Sequence, residues 1–268
     1  MADIKNQQAL DQTRILQEQV RAANERARLA EEKLKNLETF IQHLQTEITQ
    51  LHQSQAASSA SHSTSVMQPV VDRQVIIEDN TSQLENPDPT GKLVKLDHIG
   101  DLNRKAIALK YPEYRCISLN KSISEGIHRV EVRFEKCNYD GLIQGAVGIM
   151  KADNKIPFPC YPGRNTQNII MLYYNGNDGD VYYQQTRALN NAQFKDGQLI
   201  AMELNADVGT LHFFVDGIQQ PVFVSEIFQA VKFWFYIYNK ESSFSVVSVK
   251  KLTVPTAKTL SKERALQW

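Results

Sequence analysis

The spacing of apolar residues changes along the chain and divides it into zones. Between residues 1 and 52, apolar or small side chains recur at alternating intervals of three and four, the heptad pattern of a coiled coil. β-Branched residues at a and leucine at d favour a parallel dimer. We therefore predict a long helix in a parallel homodimer. The expected dimer contacts are Leu16, Val20, Leu34, Leu37, Ile41, Leu44, Ile48 and Leu51.

Charged residues beside this seam support the parallel orientation. With Leu16 at d, Arg26 and Lys33 occupy g positions, and Glu31 and Glu38 occupy e positions. In a parallel pair each g residue faces the e residue five positions on in the partner, so both pairs are attractive. The alternative, one amphipathic helix that folds back on its own domain, stays open.

The second zone, residues 53–92, has no sustained apolar period and contains the serine-rich and alanine-rich run QSQAASSASHSTSV. A stretch of this composition is expected to be a flexible linker. Within it, VVDRQVIIEDN has the character of a short strand, and NPDPTG marks a turn.

The third zone, residues 93–252, has a period of two. HRVEVRFEK and QLIAMELN alternate, and clusters of Gly, Asn and Asp separate them from short apolar runs. Many short strands with frequent turns predict an all-β antiparallel sandwich. The role of the tail, residues 253–268, stays open. One alternative is a short helix docked on the sandwich through Leu260, Ala265, Leu266 and Trp268.

The run LNADVGTLHFFVDG raises the question of paired catalytic carboxylates. Asp216 and Gly217 predict a type I′ hairpin turn, and a strand of six residues separates that turn from Asp207. A rise of about 3.3 Å per residue puts the two aspartates roughly 20 Å apart. Glycosidase carboxylates lie about 5 to 9.5 Å apart, so these two are expected to be turn residues. Glu203, on the preceding strand, is expected to point to solvent.

Charge and cysteine content narrow the function classes. Lys plus Arg and Asp plus Glu both number 30, and this zero net charge argues against a nucleic-acid partner. No apolar run approaches the roughly 20 residues of a membrane span, and the polar N-terminus lacks a signal-peptide pattern. Three cysteines without C-x-x-C spacing indicate reduced thiols in a cytoplasmic protein. We expect no metal or cofactor.

Signatures of catalysis are not found. The sequence contains neither G-x-S-x-G nor a phosphate-binding G-x-x-x-x-G-K-[ST] loop. His128 and His212 fall in predicted strands, where a hydrogen-bonded or surface histidine is expected. The chain is therefore predicted not to be an enzyme.

Several motifs together resemble the SPRY (B30.2-like) family. LIAMELNADVGTLHFFVDG is similar to the family's strand–turn–strand pattern with a Gly-Thr-Leu-x-Phe strand. GIHRVEVRFEK is similar to an earlier strand, with Val130 where Trp is usual; GAVGIM and VKFWFYIYNKESSFSVVS follow in the family's order. The resemblance covers about 93–252. It implies a two-sheet, concanavalin-like antiparallel β-sandwich that recognises proteins and has no catalysis of its own.

The resemblance also implies binding loops at one end of the sandwich. In SPRY domains the loop after the Val-Gly-Val strand and the loop between the last two strands contribute to a peptide site. The corresponding residues here are Tyr161 and Arg164, then Tyr238, Asn239 and Lys240, with Tyr111, Tyr114 and Arg115 from an early loop. Tyr and Arg are favoured interface anchors. The alternative, that Phe158 and Tyr161 only pack over the sandwich, stays open.

The expected function is therefore binding of a peptide or loop of a partner protein. Two alternatives remain. A carbohydrate-binding lectin uses the same type of sandwich, but NDGD at 177–180 is too short for an EF-type calcium loop and predicts a turn. A substrate-recognition adaptor for a ubiquitin ligase would need a separate ligase partner, because the sequence has no RING-type spacing of Cys and His.

Overall fold

The structure, a computed structural model, describes residue 17 and residues 75–110, 112–163, 167 and 169–268. The heptad contacts and nearly all of the predicted helix lie outside the described residues, as does most of the predicted linker. The coiled coil therefore stays a prediction. The unit Val71–Trp268 is compact by itself.

The described part of this unit is built almost wholly from strands. In chain order the strands are β1 Ile76–Glu78, β2 Val94–Ile99, β3 Leu102–Ala108, β4 Arg115–Ser118, β5 Ile127–Glu135, β6 Asn138–Tyr139, β7 Leu142–Ile143, β8 Gly145–Lys151, β9 Met171–Asn175, β10 Val181–Tyr183, β11 Thr186–Ala188, β12 Leu199–Asn205, β13 Thr210–Val215, β14 Ile218–Gln219, β15 Val222–Ser225, β16 Val231–Ile237, β17 Ser243–Leu252 and β18 Arg264–Gln267. The predicted all-β fold class is confirmed.

Two sheets enclose the core. The larger has the order β18-β15-β13-β12-β5-β17-β3-β2, with β1 beside β17 and β14 beside β13. The smaller has the order β11-β10-β9-β8-β16-β4, and β6 and β7 form a separate hairpin. All strand pairs within the described residues are antiparallel except β15 with β18.

The alternation of the sequence places the core between the sheets. Every second residue of β5 faces inward, including Val132 and Phe134, and β17 contributes Phe244 to the same cluster. From the smaller sheet, Phe233 and Phe235 of β16 reach the same core. Burial of such apolar side chains contributes about 25 cal/mol per Å² of surface removed from water and is the main force that holds the sheets together.

The β12–β13 hairpin has the predicted form. Ile200 pairs with Val215 at one end and Asn205 with Thr210 at the other, so Asp207 and Asp216 flank β13 at opposite ends. Asp216 has φ 49° and Gly217 φ 81°, as a type I′ turn requires. Both aspartates are therefore turn residues, as predicted.

The prediction for Glu203 is wrong. It is 1% exposed, because residues 253–263 cross the outer face of the larger sheet above it. The tail, whose form the sequence left open, contains the strand β18 and not a helix. Leu266 is buried while its neighbours Ala265 and Gln267 are exposed, which is strand alternation. With β1 and β18 the sandwich extends beyond 93–252.

Candidate functional site

The outer face of the smaller sheet is covered by aromatic side chains and by described residues of the segment between β8 and β9, among them Ile156, Cys160 and Ile170. β16 has apolar residues on both sides, with Phe233 and Phe235 inward and Trp234 and Tyr236 outward. The Trp234 indole donates a hydrogen bond to the Ile149 carbonyl at 3.0 Å. Strand β16 is therefore buried on both faces, and its outward aromatics form a floor beneath this segment.

Two strands approach each other closely beside this floor. A Cβ at Gly148 on β8 would lie 1.9 Å from the Leu172 carbonyl oxygen on β9. Only glycine permits this spacing without a shift of the backbone. The Val-Gly-Ile motif of the sequence therefore has a steric role at this point.

Six tyrosines converge on this floor and are called here the tyrosine face. They are Tyr114, Tyr161, Tyr173, Tyr182, Tyr236 and Tyr238. Ring centroids of Tyr114 and Tyr161 are 4.8 Å apart, and those of Tyr114 and Tyr238 are 5.0 Å apart. These separations lie in the range of favourable aromatic pairs. The structure thus brings together three tyrosines that the sequence placed in separate segments.

The tyrosine face has a buried layer and an accessible layer. Tyr173 and Tyr236 are nearly buried, and desolvation by burial raises the pKa of both hydroxyls well above its usual value. Both therefore stay protonated at neutral pH. Tyr161 is 40% exposed, and its ring packs against Gly163, where an added Cβ would lie 2.9 Å from it. Tyr114 and Tyr238 are half-buried.

Phe158, from the same loop, packs against the main core instead of the tyrosine face. The two aromatic residues of the loop therefore have different environments, because Phe158 contacts the core while Tyr161 keeps an accessible surface. Phe158 therefore fits the alternative of a residue that only packs over the sandwich, whereas Tyr161 fits it only in part.

Arg115 does not reach the surface. It is 0% exposed, and its guanidinium donates to the carbonyls of Glu113 at 2.7 Å, Tyr238 at 2.9 Å and Leu93 at 3.3 Å. In this position it ties together the backbone segments that carry Tyr114 and Tyr238. Its expected contact with a partner is therefore not available, and it acts on the tyrosine face from below. Arg164 and Tyr111 lie outside the described residues.

Asn239 and Lys240 follow Tyr238 in the loop between β16 and β17. The Asn239 amide donates to the Cys137 carbonyl at 3.3 Å, which anchors this loop to the end of β5. Lys240 is exposed, and its ammonium lies 3.7 Å from the Glu241 carboxylate. An exposed pair of this kind contributes little to stability. Lys240 is therefore an accessible charge two residues beyond Tyr238.

Sequence reasoning missed Tyr173, Tyr182, Trp234 and Tyr236. The run FWFYIY, residues 233–238, indicated this row of aromatic residues, because strand alternation puts Trp234, Tyr236 and Tyr238 on one face. An aromatic row on the outer face of a sandwich indicates that the face is covered or used. Tyr173 and Tyr182 have rings 5.0 Å apart and extend the row across β9 and β10.

The acidic turn at 177–180 is engaged by protein groups. The Tyr182 hydroxyl donates to Asp178 at 2.6 Å, and Arg187 is paired with Asp180. These carboxylates already have donors, so the expected turn fits them better than a calcium loop. Within the residues that the structure describes, no group of three or more His, Cys, Asp or Glu side chains is arranged to hold a metal.

The three cysteines are free and buried. Desolvation raises the pKa of the Cys137 thiol to about 12 and also raises that of Cys116. Cys116 and Cys160 lie in the cluster beneath the tyrosine face, where the Cys116 thiol contacts the Cys160 carbonyl at 3.1 Å. In the described part of the chain, no helix has the length and apolar character to cross a membrane.

Comparisons with known proteins concern the fold. No protein-family model matches the chain, and no curated protein matches it. Similar solved structures include the TRIM65 PSpry domain, with 15% identity and a TM-score of 0.45 over 62% of this chain and 90% of that one. The SPRY domain of human HERC1 has 14% identity and a TM-score of 0.46 over 64% of this chain and 99% of that one.

A third similar structure is stonustoxin, with 15% identity and a TM-score of 0.41 over 60% of this chain and 27% of that one. Two of these three neighbours are SPRY domains, the type of domain that the sequence motifs resemble.

Proposed function

We propose that this chain is a non-catalytic recognition module of SPRY type whose tyrosine face binds a peptide or loop of a partner protein. The observation that carries the proposal is the convergence of Tyr114, Tyr161 and Tyr238. They come from three separate segments, their rings are in contact, and Tyr161 keeps 40% of its surface exposed. Tyrosine is among the residues most enriched at the centre of protein interfaces.

The tyrosine face is suited to binding because it is ordered before a partner arrives. Trp234 is buried beneath it, Tyr236 belongs to its buried layer, and Arg115 holds the backbone of two of its segments. Rings that are already fixed lose little conformational entropy on binding. Their hydroxyls donate to or accept from peptide groups, while the rings bury apolar surface.

The predicted parallel coiled coil would place two such modules in one dimer. If both arms engage one target, avidity exceeds the affinity of a single arm by about 10² to 10⁴-fold. The free thiols support a reducing, cytoplasmic location. Both statements are part of the proposal.

The test is a quantitative pull-down with the full chain. Wild type is compared with the double variant Tyr114→Ala, Tyr161→Ala and with the control Tyr139→Ala, which removes an exposed tyrosine from the β6–β7 hairpin. We expect partners recovered by wild type and by the control to fall at least about tenfold with the double variant, since anchors of this kind contribute 2 kcal/mol or more, roughly, at an interface.

Circular dichroism and a thermal melt show whether each variant is folded. Equal recovery by all three folded proteins would mean that the tyrosine face is not the binding site. Binding to a glycan array that is lost in the double variant would favour the lectin alternative instead.

A further inference from the structure

A second surface lies along strand β15 of the larger sheet. There the chain's own residues 264–267 form the outermost strand, β18. Residues 253–263, called here the strap, leave β17 and cross the outer face of the larger sheet. They lead into β18, which pairs in parallel with β15 from Val222–Arg264 to Ser225–Gln267. The strap and β18 therefore cover a sheet edge and part of a sheet face.

The first anchor of the strap is a buried carboxylate. Glu203 accepts the backbone N–H groups of Thr256 at 2.7 Å and Ala257 at 2.9 Å, and also the Thr256 hydroxyl. Arg129 lies beside Glu203 on the neighbouring strand, with its Nη1 3.1 Å from Oε2, and balances the charge. Three of the four hydrogen bonds of this carboxylate thus go to the strap.

The second anchor is a single glutamine. The Gln219 amide donates to the Lys258 carbonyl at 2.7 Å and accepts from the Lys258 amide at 2.8 Å. Lys258 itself is exposed. This reciprocal pair holds the strap from the β14 side without burying it.

A pocket of about 300 Å³ is lined by both the sheet and the strap, with His212, Phe223 and Val208 on the sheet side and Pro255, Thr259 and Glu263 on the strap side. Residues 253–263 are all exposed or half-buried. Segments with few buried contacts open at low free-energy cost.

β18 and Trp268 after it are held through the backbone and through side chains, including a hydrogen bond from the Gln267 amide to Glu226 at 2.9 Å. Leu266 is 6% exposed and joins the main core, and the Trp268 ring stacks on Tyr183 at 4.6 Å with an interplanar angle of 12°. The Trp268 amide donates to the Ser225 carbonyl at 3.0 Å. Arg264, Ala265 and Gln267 are exposed. The edge of β15 therefore selects an apolar residue followed two positions later by an aromatic one.

We propose that the edge of β15 is a strand-addition site for an extended peptide of a partner protein, and that β18 occupies this site in cis as an autoinhibitory segment. Addition of a strand to a sheet edge gives affinity through the backbone ladder and specificity through alternate side chains. The partner peptide carries a large apolar residue at the Leu266 position and an aromatic residue at the Trp268 position. The site shares no residue with the tyrosine face, so either proposal can fail alone.

Tethering explains why β18 prevails in the intact chain. A strand joined through a short connection acts at an effective concentration of about millimolar. A free peptide of the same sequence at micromolar concentration is therefore excluded until the strap opens. Severing the strap removes this advantage without removing any contact of β18.

The experiment introduces a protease recognition sequence between Lys258 and Thr259, both exposed, in the full chain. After cleavage, binding of a fluorescent peptide of residues 259–268 is followed by anisotropy. We expect the cleaved protein to bind the peptide at least about 100-fold more tightly than the uncleaved protein. A peptide with Leu266→Ser and Trp268→Ser should not bind.

A second variant tests the strap without cleavage. Gln219→Ala removes one anchor and should raise the apparent peptide affinity of the intact chain several-fold. The control Gln198→Ala removes a glutamine that donates to Asp216 in the turn between β13 and β14, rather than to the strap, and should leave peptide binding unchanged. A folded Gln219→Ala protein that binds no more peptide than this control would count against the strap as a gate.

Three results would overturn the proposal. In the first, the cleaved protein stays folded but millimolar peptide does not displace the cleaved fragment 259–268. In the second, cleavage unfolds the sandwich, which would make β18 an obligatory structural strand. In the third, cleaved chains gain a higher-order assembly that Leu266→Ser abolishes. That result would identify a second copy of this chain as the occupant and would overturn the choice of a foreign peptide.

Discussion

Replacing Arg115 by methionine tests whether a buried cation organises the tyrosine face. Methionine has a similar length but no donors, so the variant keeps most of the packing and loses the hydrogen bonds to the carbonyls of Leu93, Glu113 and Tyr238. The tyrosine rings themselves are unchanged.

The loss of the Arg115 donor does not cost the same at each of the three carbonyls. The Leu93 carbonyl keeps the Leu109 amide at 3.0 Å, and the Tyr238 carbonyl keeps the Glu113 amide at 3.1 Å. Each of these two losses costs about 1 kcal/mol, and the Glu113 carbonyl, which loses its guanidinium donor, costs about 1 to 3 kcal/mol. Relief of the desolvation of a buried cation offsets part of this. We expect a net loss of about 2 to 4 kcal/mol in the free energy of unfolding.

Urea unfolding followed by tryptophan fluorescence measures this change, because both tryptophans lie in the sandwich. Tyr161→Ala is the comparison: its side chain is partly exposed, so its loss should be below about 1 kcal/mol. A free energy of unfolding for Arg115→Met within about 0.5 kcal/mol of wild type would refute the assignment of Arg115 as the residue that holds these segments.

Two further predictions concern the framework. Gly148→Ala places a Cβ against the Leu172 carbonyl, so we expect a fall in stability of about 3 kcal/mol or more, measured as the midpoint of thermal unfolding; an unchanged midpoint would contradict the close approach of β8 and β9. Asp88 is desolvated by burial, which alone would raise its pKa, but donors including the Leu93 amide and Thr90 outweigh this and lower the pKa to about 2. Its contribution to stability is therefore full above the unfolded pKa of about 4 and is lost as pH falls towards 2, and Asp88→Asn should flatten that decline in acid-unfolding curves.

The sequence predicted those parts of the fold in which local chemistry and tertiary packing agree. Asp216 and Gly217 suit a type I′ turn whatever surrounds them, and the alternation of β5 and β12 matches a sheet with one buried face. The form of the tail stayed open because Arg264–Gln267 contains a single buried side chain, Leu266, which is too few for alternation to be recognised in the sequence. Only pairing with β15, a tertiary event, makes it a strand.

The candidate site was predictable in its exposed parts and not in its buried ones. Tyr114, Tyr161 and Tyr238 were expected at one surface, and they meet there. Arg115 and Glu203 were misjudged because charged residues are usually exposed, and the exceptions depend on partners far away in sequence. Glu203 is buried by a strap more than 50 residues downstream, and Arg115 by a loop more than 120 residues away.

The two proposed binding surfaces differ in whether a segment of the chain already occupies them. The tyrosine face is assembled and accessible, so the affinity of a partner depends directly on contacts with Tyr161 and its neighbours. The β15 edge is occupied by β18, so its apparent dissociation constant is the intrinsic one divided by the fraction of molecules in which the strap is open. Substitution of Tyr161 should therefore change the intrinsic affinity of the first site, whereas substitution of Gln219 should change only the open fraction at the second. After the strap is severed, β18 is no longer tethered, so the open fraction no longer depends on the Gln219 anchor. Any effect of Gln219→Ala on peptide binding should therefore disappear in the cleaved protein.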